Sequence, residues 1–296
     1  MKLILSRKGF DASNGGCASP IFEDGTLCPL PIPDATSPIS YGDIRDWRGE
    51  SIAPIVEQLT RGRLGGGDRA HLDPDLRRGA LKRHRGWRPI FGQTGAAAAH
   101  LASYQVGAGD LFLFFGWFRR VEQLARGFRF ISGAADLHVI YGWMQVGQVV
   151  ELAANAARAM PWAAYHPHLS DAARYKRNTL FVASSMLVSI GLALPGGGAF
   201  SHFRPELCLT ARDEPGGRSL WKLPGWFYPS GRPALSRHGD RKRWRRLGDA
   251  LYLRTVPIGQ EFVLDLDVYP EAHGWLRSIF AANHATPREF LSSAAG

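Results

Sequence analysis

Cysteine is scarce in this chain. The 296 residues include three cysteines, Cys17, Cys28 and Cys208, and no two of them form a CxxC pair. An odd and widely spaced set of this kind does not build a disulfide framework or a zinc ribbon, so both classes of small scaffold are excluded. The same scarcity is typical of a reducing compartment, and we expect a cytoplasmic protein.

The common nucleotide-binding loops are also missing. The sequence has no GxxxxGK[ST] Walker loop and no GxGxxG motif after a predicted strand, and it has no internal repeat with a solenoid period. No motif therefore identifies a cofactor, which stays unknown.

Long apolar runs are few. The stretch Thr179 to Phe200 has no charged residue, but Pro195 and the three glycines after it would end a helix well before a bilayer is crossed. The first residues, MKLILSRKGFD, have too short an apolar run for a signal peptide. We therefore expect no membrane association.

Acidic residues are outnumbered by basic ones. Lysine and arginine total 36 against 26 aspartates and glutamates, which gives a formal net charge of +10. Hydrophobic residues make up 45% of the chain, enough to support a core and to exclude a disordered protein. The positive excess favours a polyanionic partner, with scattered surface charge as the alternative.

Two aromatic-rich runs organise the chain. Leu111 to Phe118 and Leu137 to Val150 each contain a Gly-Trp pair, ending in Trp117 and Trp143. Their composition predicts two core strands of one sheet, each with a bulge or a close approach by a ligand at its glycine. A basic spacer, Arg119 to Ser132, would lie on the surface between them. Two tryptophans beside a row of arginines favour a planar, anionic ligand such as a nucleotide.

The first predicted strand, Lys2 to Leu5, runs into a loop rich in polar groups. The loop includes Ser6, Arg7, Lys8, Asp11, Asn14 and several glycines. Such a loop places backbone N–H groups and cations at the rim of a sheet. Arg7 and Lys8 would contact phosphate, and Asp11 would act as a general acid or base.

Two further motifs carry histidine. In HLDPDL, alternation places His71, Asp73 and Asp75 on one side of an extended segment. They could bind a divalent metal, His71 and Asp73 could form a proton-handling pair, or the motif could be an Asp-Pro turn. His166 and His168 could be metal ligands or belong to a surface turn. The local sequence supplies no complete ligand set, so no metal site is assigned.

The remaining elements are short. Helices are predicted over Ser51 to Leu59, Ala96 to Gln105, Val150 to Met160 and around Leu276 to Phe280, and strands over Phe200 to Thr210 and Leu251 to Val256. A loop-rich insertion, Ala211 to Gly248, interleaves aromatic and basic residues, which suits a phosphate backbone with unpaired bases or a solvated basic face. The expected architecture is a single α+β domain over residues 1–280, with a central mixed, barrel-like sheet and long loops, followed by a helix end and a frayed tail over 281–296.

These motifs together are similar to a known family. LSRKGFDASNGG, HLDPDL, GAGDLFLFFGWF with HVIYGWMQV, and GQEFVLD resemble the nucleotide modification associated domain 3 family over about Met1 to Asp265. The resemblance implies modification of bases, or recognition of modified bases, mainly in bacteria and their viruses, and it brings no established reaction. The family-like positions are Ser6, Arg7, Lys8, Asp11, Gly15, Gly16, His71, Asp73, Gln93, His138, Gln260 and Glu261. The pair of aromatic strands also looks like the hairpin of PUA-like barrels, an analogy of fold alone.

Three functions are compatible with these features: a base- or nucleotide-modifying enzyme, which we favour, a non-catalytic reader of modified bases, and an interaction protein with a basic face. The partner would be a nucleic acid, DNA before RNA, or a free nucleotide, and the oligomeric state is left open. The candidate catalytic residues are Asp11, His71, Asp73 and His138. The candidate substrate-binding residues are Ser6, Arg7, Lys8, Asn14, Gln93, Trp117, Trp143 and Glu261.

Overall fold

The fold is mostly sheet with few helices, as seen in a computed structural model that describes residues 1–152, 156–170, 172–175, 177–257 and 259–283. The strands are β1 Lys2–Arg7, β2 Ser19–Ile21, β3 Ile90–Thr94, β4 Leu111–Gln123, β5 Phe128–Phe130, β6 Leu137–Glu151, β7 Asn178–Ala183, β8 Gly197–Ala199, β9 Leu220–Leu223, β10 Trp244–Leu247, β11 Ala250–Arg254 and β12 Glu261–Asp265. The α-helices are α1 Ala53–Leu59, α2 Gly95–Ser103, α3 Ala156–Ala159, α4 Pro167–Ser170 and α5 Glu271–Asn283. Short 3₁₀ turns span Arg78–Ala80, Pro161–Ala163, Ala172–Arg174, Pro205–Leu207, Gly225–Phe227 and Arg241–Arg243.

The main sheet is mixed. Its backbone order is β12-β1-β4-β6-β7-β3, with β2 and β5 added beside β4 and β8 beside β6. β1 and β2 run parallel to β4, and the other pairs in this sheet are antiparallel. The predicted α+β class is confirmed. The predicted barrel is wrong, because the end strands β12 and β3 do not pair in the described part of the chain, and the likeness to PUA-like barrels is not confirmed.

The core lies on both faces of β4. Phe112 and Phe114 stack 5.7 Å apart, and Phe91 of β3 meets each of them at 5.2 Å, although β3 and β4 are not neighbours in the sheet. On the other face, Phe115 contacts Trp221 of β9 at 5.1 Å. Each of these rings is buried, and each contributes about 2 kcal/mol or more to folding. Burial on both faces explains why the sequence here is a continuous apolar run.

The glycines of the two aromatic strands lie at a bulge and at a close approach, as predicted, but the close approach does not involve a ligand. Phe114 pairs with Gly142 and Phe115 with Ile140, so the residue between them, Tyr141, is bulged. At Gly116 the close approach is made by the chain itself and not by a ligand. A Cβ there would lie 2.7 Å from the backbone oxygen of Lys8, whose N–H donates to the Phe115 carbonyl at 2.8 Å. β4 therefore fastens the loop that follows β1.

Several predicted boundaries need correction. The basic spacer is not simply a surface loop, because β4 continues through Gln123 and pairs with β5. The insertion 211–248 is not loop-rich throughout, since β9, β10 and β11 form a separate three-stranded sheet. The predicted strand over 200–210 is wrong: it contains the 3₁₀ turn Pro205–Leu207, which Pro205 favours by fixing φ.

Three of the four predicted helices are confirmed. α1 and α2 confirm two of them, and α5 confirms the third near the C-terminus. The predicted helix over 150–160 is confirmed only as α3, because β6 runs to Glu151. Residues 153–155 lie outside the described part, as do residues 284–296 of the predicted tail 281–296. No helix in the described ranges has the length and apolarity needed to cross a bilayer.

Replacement of Gly116 by alanine tests the contact between β4 and the loop after β1. We expect Gly116→Ala to lower the free energy of unfolding by about 1–3 kcal/mol, because the added methyl group collides with backbone that cannot rotate away. Urea denaturation measures the change. Gly79→Ala is the matched control, since nothing lies within 4 Å of a Cβ at that exposed position. Equal stability of the two variants would contradict the proposed role of Gly116.

Candidate functional site

A cavity of about 220 Å³ opens where the loop after β1 meets β3, β4 and the start of β6. It brings together most of the predicted site residues: Arg7, Lys8, Asp11, Asn14, His71, Asp73, Gln93, Trp117 and His138. It also includes Thr94, His168, Tyr175, Arg218 and Gln260. The other three predicted site residues, Ser6, Trp143 and Glu261, are not among the described residues that line the cavity. Residues from distant parts of the chain thus converge on one hollow.

The carboxylate of Glu261 lies just behind the cavity wall and is 1% exposed. Its Oε1 accepts from Lys8 Nζ at 2.9 Å and from Gln93 Nε2 at 2.5 Å, and Ser6 Oγ lies 3.4 Å away. A buried charge needs such partners, because desolvation would otherwise cost several kcal/mol. Ser6 and Glu261 therefore do not line the cavity. Glu261 holds Lys8 and Gln93, which do line it, in position.

Three cationic side chains form one wall, Arg7, Lys8 and Arg218. Arg7 Nη2 donates to the carbonyl of Gly259 at 3.0 Å, and burial lowers the pKa of Arg7 while the nearby Asp11 carboxylate opposes that shift. The Arg218 guanidinium lies over the Trp117 ring, 4.1 Å from its centroid. The wall combines positive charge with one aromatic face.

His138 is held in a single tautomer. The indole Nε1 of Trp221 donates to His138 Nδ1 at 2.9 Å, and an indole can only donate. The neutral ring therefore carries its proton on Nε2. Burial, together with the charges of Arg7 and Arg218, lowers the pKa of His138 to about 3, so the ring is neutral at physiological pH. It is a candidate hydrogen-bond donor inside a positive wall.

Asp11 shapes the loop that follows β1. Its Oδ1 accepts from the backbone N–H groups of Ser13 and Asn14, both at 2.7 Å, and from Asn14 Nδ2 at 3.2 Å. This pattern is an Asx turn, in which a carboxylate replaces a backbone acceptor. Asp11 therefore has a structural use, and the proton-transfer role predicted for it stays a prediction.

Asp73, which also lines the cavity, is surrounded by three imidazoles. Its Oδ1 accepts from the Gly92 N–H at 2.7 Å and lies 3.2 Å from His166 Nε2, without the alignment of a hydrogen bond. Its Oδ2 lies 3.6 Å from His168 Nε2 and 3.9 Å from His71 Nε2. Burial alone would raise the pKa of Asp73, but the imidazoles of His166 and His168 hold it well below its usual range.

The outer nitrogens of two of these rings are also held. His71 Nδ1 lies 2.9 Å from Asp34 Oδ2, and His168 Nδ1 lies 2.8 Å from Asn178 Oδ1. The inner ligand atoms of His71, Asp73 and His168 all lie within 4.8 Å of one another, so these residues could hold a metal ion. The second carboxylate of the motif, Asp75, is not part of the group and pairs with Arg83 at 2.6 Å.

The family model for nucleotide modification associated domain 3 matches residues 2–265. The chain belongs to this family. The resemblance seen in the motifs is thereby confirmed. No curated protein and no solved structure matches the chain.

Two predicted positions in this domain differ from their expected surroundings. The surface turn considered for His166 and His168 is wrong, because they are 0% and 4% exposed and Leu169 of α4 belongs to a buried apolar cluster with residues of β7. Trp143 is 2% exposed and packs on Phe200 at 4.8 Å, away from the cavity. Gly198 of β8 leaves room for its indole, since a Cβ there would lie 2.6 Å from the ring.

Sequence reasoning missed Tyr175 and Arg218 and left His168 unassigned. The pattern His-Pro-His was the only signal for His168, and nothing in the local sequence marks the other two. Tyr175 stacks on His168 with centroids 5.7 Å apart, and Arg218 reaches Trp117 from the turn before β9. Such contacts depend on tertiary packing and leave no periodic pattern.

The pH dependence of the free energy of unfolding tests whether His138 is neutral in the folded protein. Its folded pKa of about 3 lies below the unfolded value near 6.5, so the unfolded chain binds more protons and stability falls as the pH drops below about 6.5. His138→Gln keeps an acceptor for Trp221 but cannot titrate. Between pH 7 and pH 5 we expect the variant to lose about 2 kcal/mol less stability than the natural protein, measured by urea denaturation. Parallel losses in the two proteins would show that His138 is not held neutral.

Proposed function

We propose that this protein modifies a nucleotide base that enters the cavity. Membership in the family supports involvement in nucleotide modification. The observation that carries the proposal is the lining of the cavity. It includes the cations Arg7, Lys8 and Arg218, and it also includes the carboxylate of Asp73 with its neighbouring imidazoles. Cations suit a phosphate group, and a carboxylate–histidine group suits proton transfer or metal-assisted chemistry.

The size of the cavity favours a single nucleotide unit. About 220 Å³ lies just below the range of roughly 300–1,000 Å³ typical of small-molecule sites and is far too little for a duplex. A base in a nucleic acid would therefore have to leave its stack before it entered, as in other base-modifying enzymes. Trp117 offers an aromatic face for the base, and Arg7 and Lys8 offer positive charge for its phosphate. We retain DNA before RNA, or a free nucleotide, as the substrate.

The proposed roles follow from protonation and position. Neutral His138 donates from Nε2 to an acceptor on the base, such as a carbonyl or a ring nitrogen. His71 and Asp73 handle the transferred proton or activate the attacking group. Gln93, held by Glu261, is placed to orient the ligand.

The imidazole-ringed carboxylate favours an enzyme over a reader. A reader of modified bases needs the cations, Trp117 and a hydrogen-bond donor, and all of these are compatible with binding alone. It has no need of a buried Asp73 next to His71 and His168, an arrangement that costs desolvation energy and is typical of reactive sites.

Nucleotide binding is the first test. We expect nucleoside monophosphates to bind in calorimetry at low salt, with affinity falling as salt rises because phosphate contacts are screened. Arg218→Ala and Trp117→Leu should each weaken binding about tenfold or more. Arg129→Ala is the matched control, because Arg129 is exposed on β5 and pairs with Glu122 outside the cavity. Equal effects of all three substitutions, or no binding by the natural protein, would refute the site.

Turnover is the second test. The protein is incubated with plain and modified single-stranded DNA plus a small-molecule filtrate of bacterial cells, which supplies any co-substrate, and the nucleosides are analysed by mass spectrometry. We expect a new nucleoside mass that is lost with His71→Ala and retained with Arg129→Ala. Nucleotide binding without any mass change would support the reader and reject the enzyme.

A further inference from the structure

We propose that His71, Asp73 and His168 bind one divalent transition-metal ion at the edge of the cavity. Two imidazoles and one carboxylate are a ligand set that suits zinc, iron(II), cobalt(II) and related ions. The site goes beyond the proposed base modification and does not depend on it. Three features support the site: the tautomers of the His71 and His168 rings, the Asp73 oxygen that both rings face, and the residues that accept hydrogen bonds from the two rings.

The outer contacts fix which nitrogen of each ring carries hydrogen. His71 Nδ1 lies 2.9 Å from a carboxylate oxygen of Asp34, which only accepts, so Nδ1 bears the hydrogen. His168 Nδ1 faces Asn178 Oδ1 at 2.8 Å, and the Asn178 amide is oriented by its own donation to the His168 carbonyl at 2.9 Å. Each neutral ring therefore presents a lone pair at Nε2.

Both lone pairs face the same carboxylate oxygen. Asp73 Oδ2 lies 3.6 Å from His168 Nε2 and 3.9 Å from His71 Nε2. With both rings in the neutral form, no hydrogen lies between these three acceptor atoms, and a cation bound among them would turn their mutual repulsion into attraction. On a tetrahedral ion with bonds of about 2.1 Å, ligand atoms lie about 3.4 Å apart, so small side-chain movements bring the three atoms into range.

The surroundings have the form of a second coordination shell. Metal-binding histidines usually donate their other N–H to a carboxylate or an amide oxygen, as His71 and His168 do here. Asp34 is itself held by the Thr36 N–H at 3.0 Å and hydroxyl at 2.7 Å. The second oxygen of Asp73 is taken by the Gly92 N–H, which leaves Oδ2 as the inner ligand atom.

Gly92 is also needed for space. A Cβ at this position would lie 2.4 Å from the His168 ring, so only glycine lets the imidazole reach Asp73. The ligands come from two separate segments of the chain, residues 71–73 and α4, and are therefore placed by packing and not by chance exposure. Three protein ligands leave at least one position on the ion open to the cavity, where water or a substrate oxygen can bind.

Cobalt(II) binding to the whole protein tests the site without any nucleotide. The protein is stripped with a chelator and titrated with cobalt(II), while visible absorption and calorimetry record the coordination and the number of ions bound. We expect one ion per chain, displaced by zinc(II), and a higher Tm with the metal. His71→Ala and His168→Ala should each weaken binding about 100-fold or more, and Asp34→Ala about 10-fold to 100-fold.

His202→Ala is the matched control, since His202 is exposed and lies outside the cavity. Circular dichroism of each metal-free variant checks the fold, and His71→Ala removes only a partly exposed ring, so it reports on binding even if His168→Ala unfolds. Failure of the natural protein to bind cobalt(II) or zinc(II) at micromolar concentration would overturn the proposal. So would a folded His71→Ala variant that binds as well as His202→Ala. Nucleotide binding is measured separately on metal-free protein, so either proposal can fail alone.

Discussion

The buried carboxylate of Glu261 is the constraint on which the rest of the site depends. It sits on β12, at one end of the sheet, and accepts from Gln93 on β3, at the other end. It also accepts from Lys8, in the loop after β1. Because a carboxylate without partners could not remain buried, the curvature of the sheet and the position of a cavity cation are set together. The Glu261 carboxylate thus links β12 and β3, the two end strands of the sheet, which do not pair through their backbones in the described part of the chain.

A second buried carboxylate, Asp73, divides the cavity into two chemically different halves. Glu261 is neutralised by an ammonium group and an amide, whereas Asp73 is surrounded by imidazoles, which can hold protons or a metal. The first half therefore offers charge that does not vary near neutral pH, and the second offers groups that can react.

The sequence predicted the parts of this arrangement that arise from local pattern. The apolar runs gave β4 and β6, and the polar loop after β1 and the alternation of His71 with Asp73 pointed to residues that do share a cavity. Tertiary packing decided the rest. Trp143 looks like Trp117 in sequence, yet Gly198 leaves space for its ring in the core, and Arg218 reaches the cavity from the turn before β9. That the sheet stays open and does not close into a barrel could not be foreseen, because closure depends on whether β3 and β12, far apart in the chain, come within pairing distance.

The contact between Gly116 and the Lys8 carbonyl has a consequence for kinetics. The segment that carries Arg7 and Lys8 is tied to β4, whose first six residues are buried, so its conformational entropy is lost during folding and not when a ligand arrives. An incoming phosphate would meet cations already in position. Association would then be limited by diffusion and salt, with no slow rearrangement of the loop, and differences in affinity between ligands would be expressed mainly in how long each one stays bound.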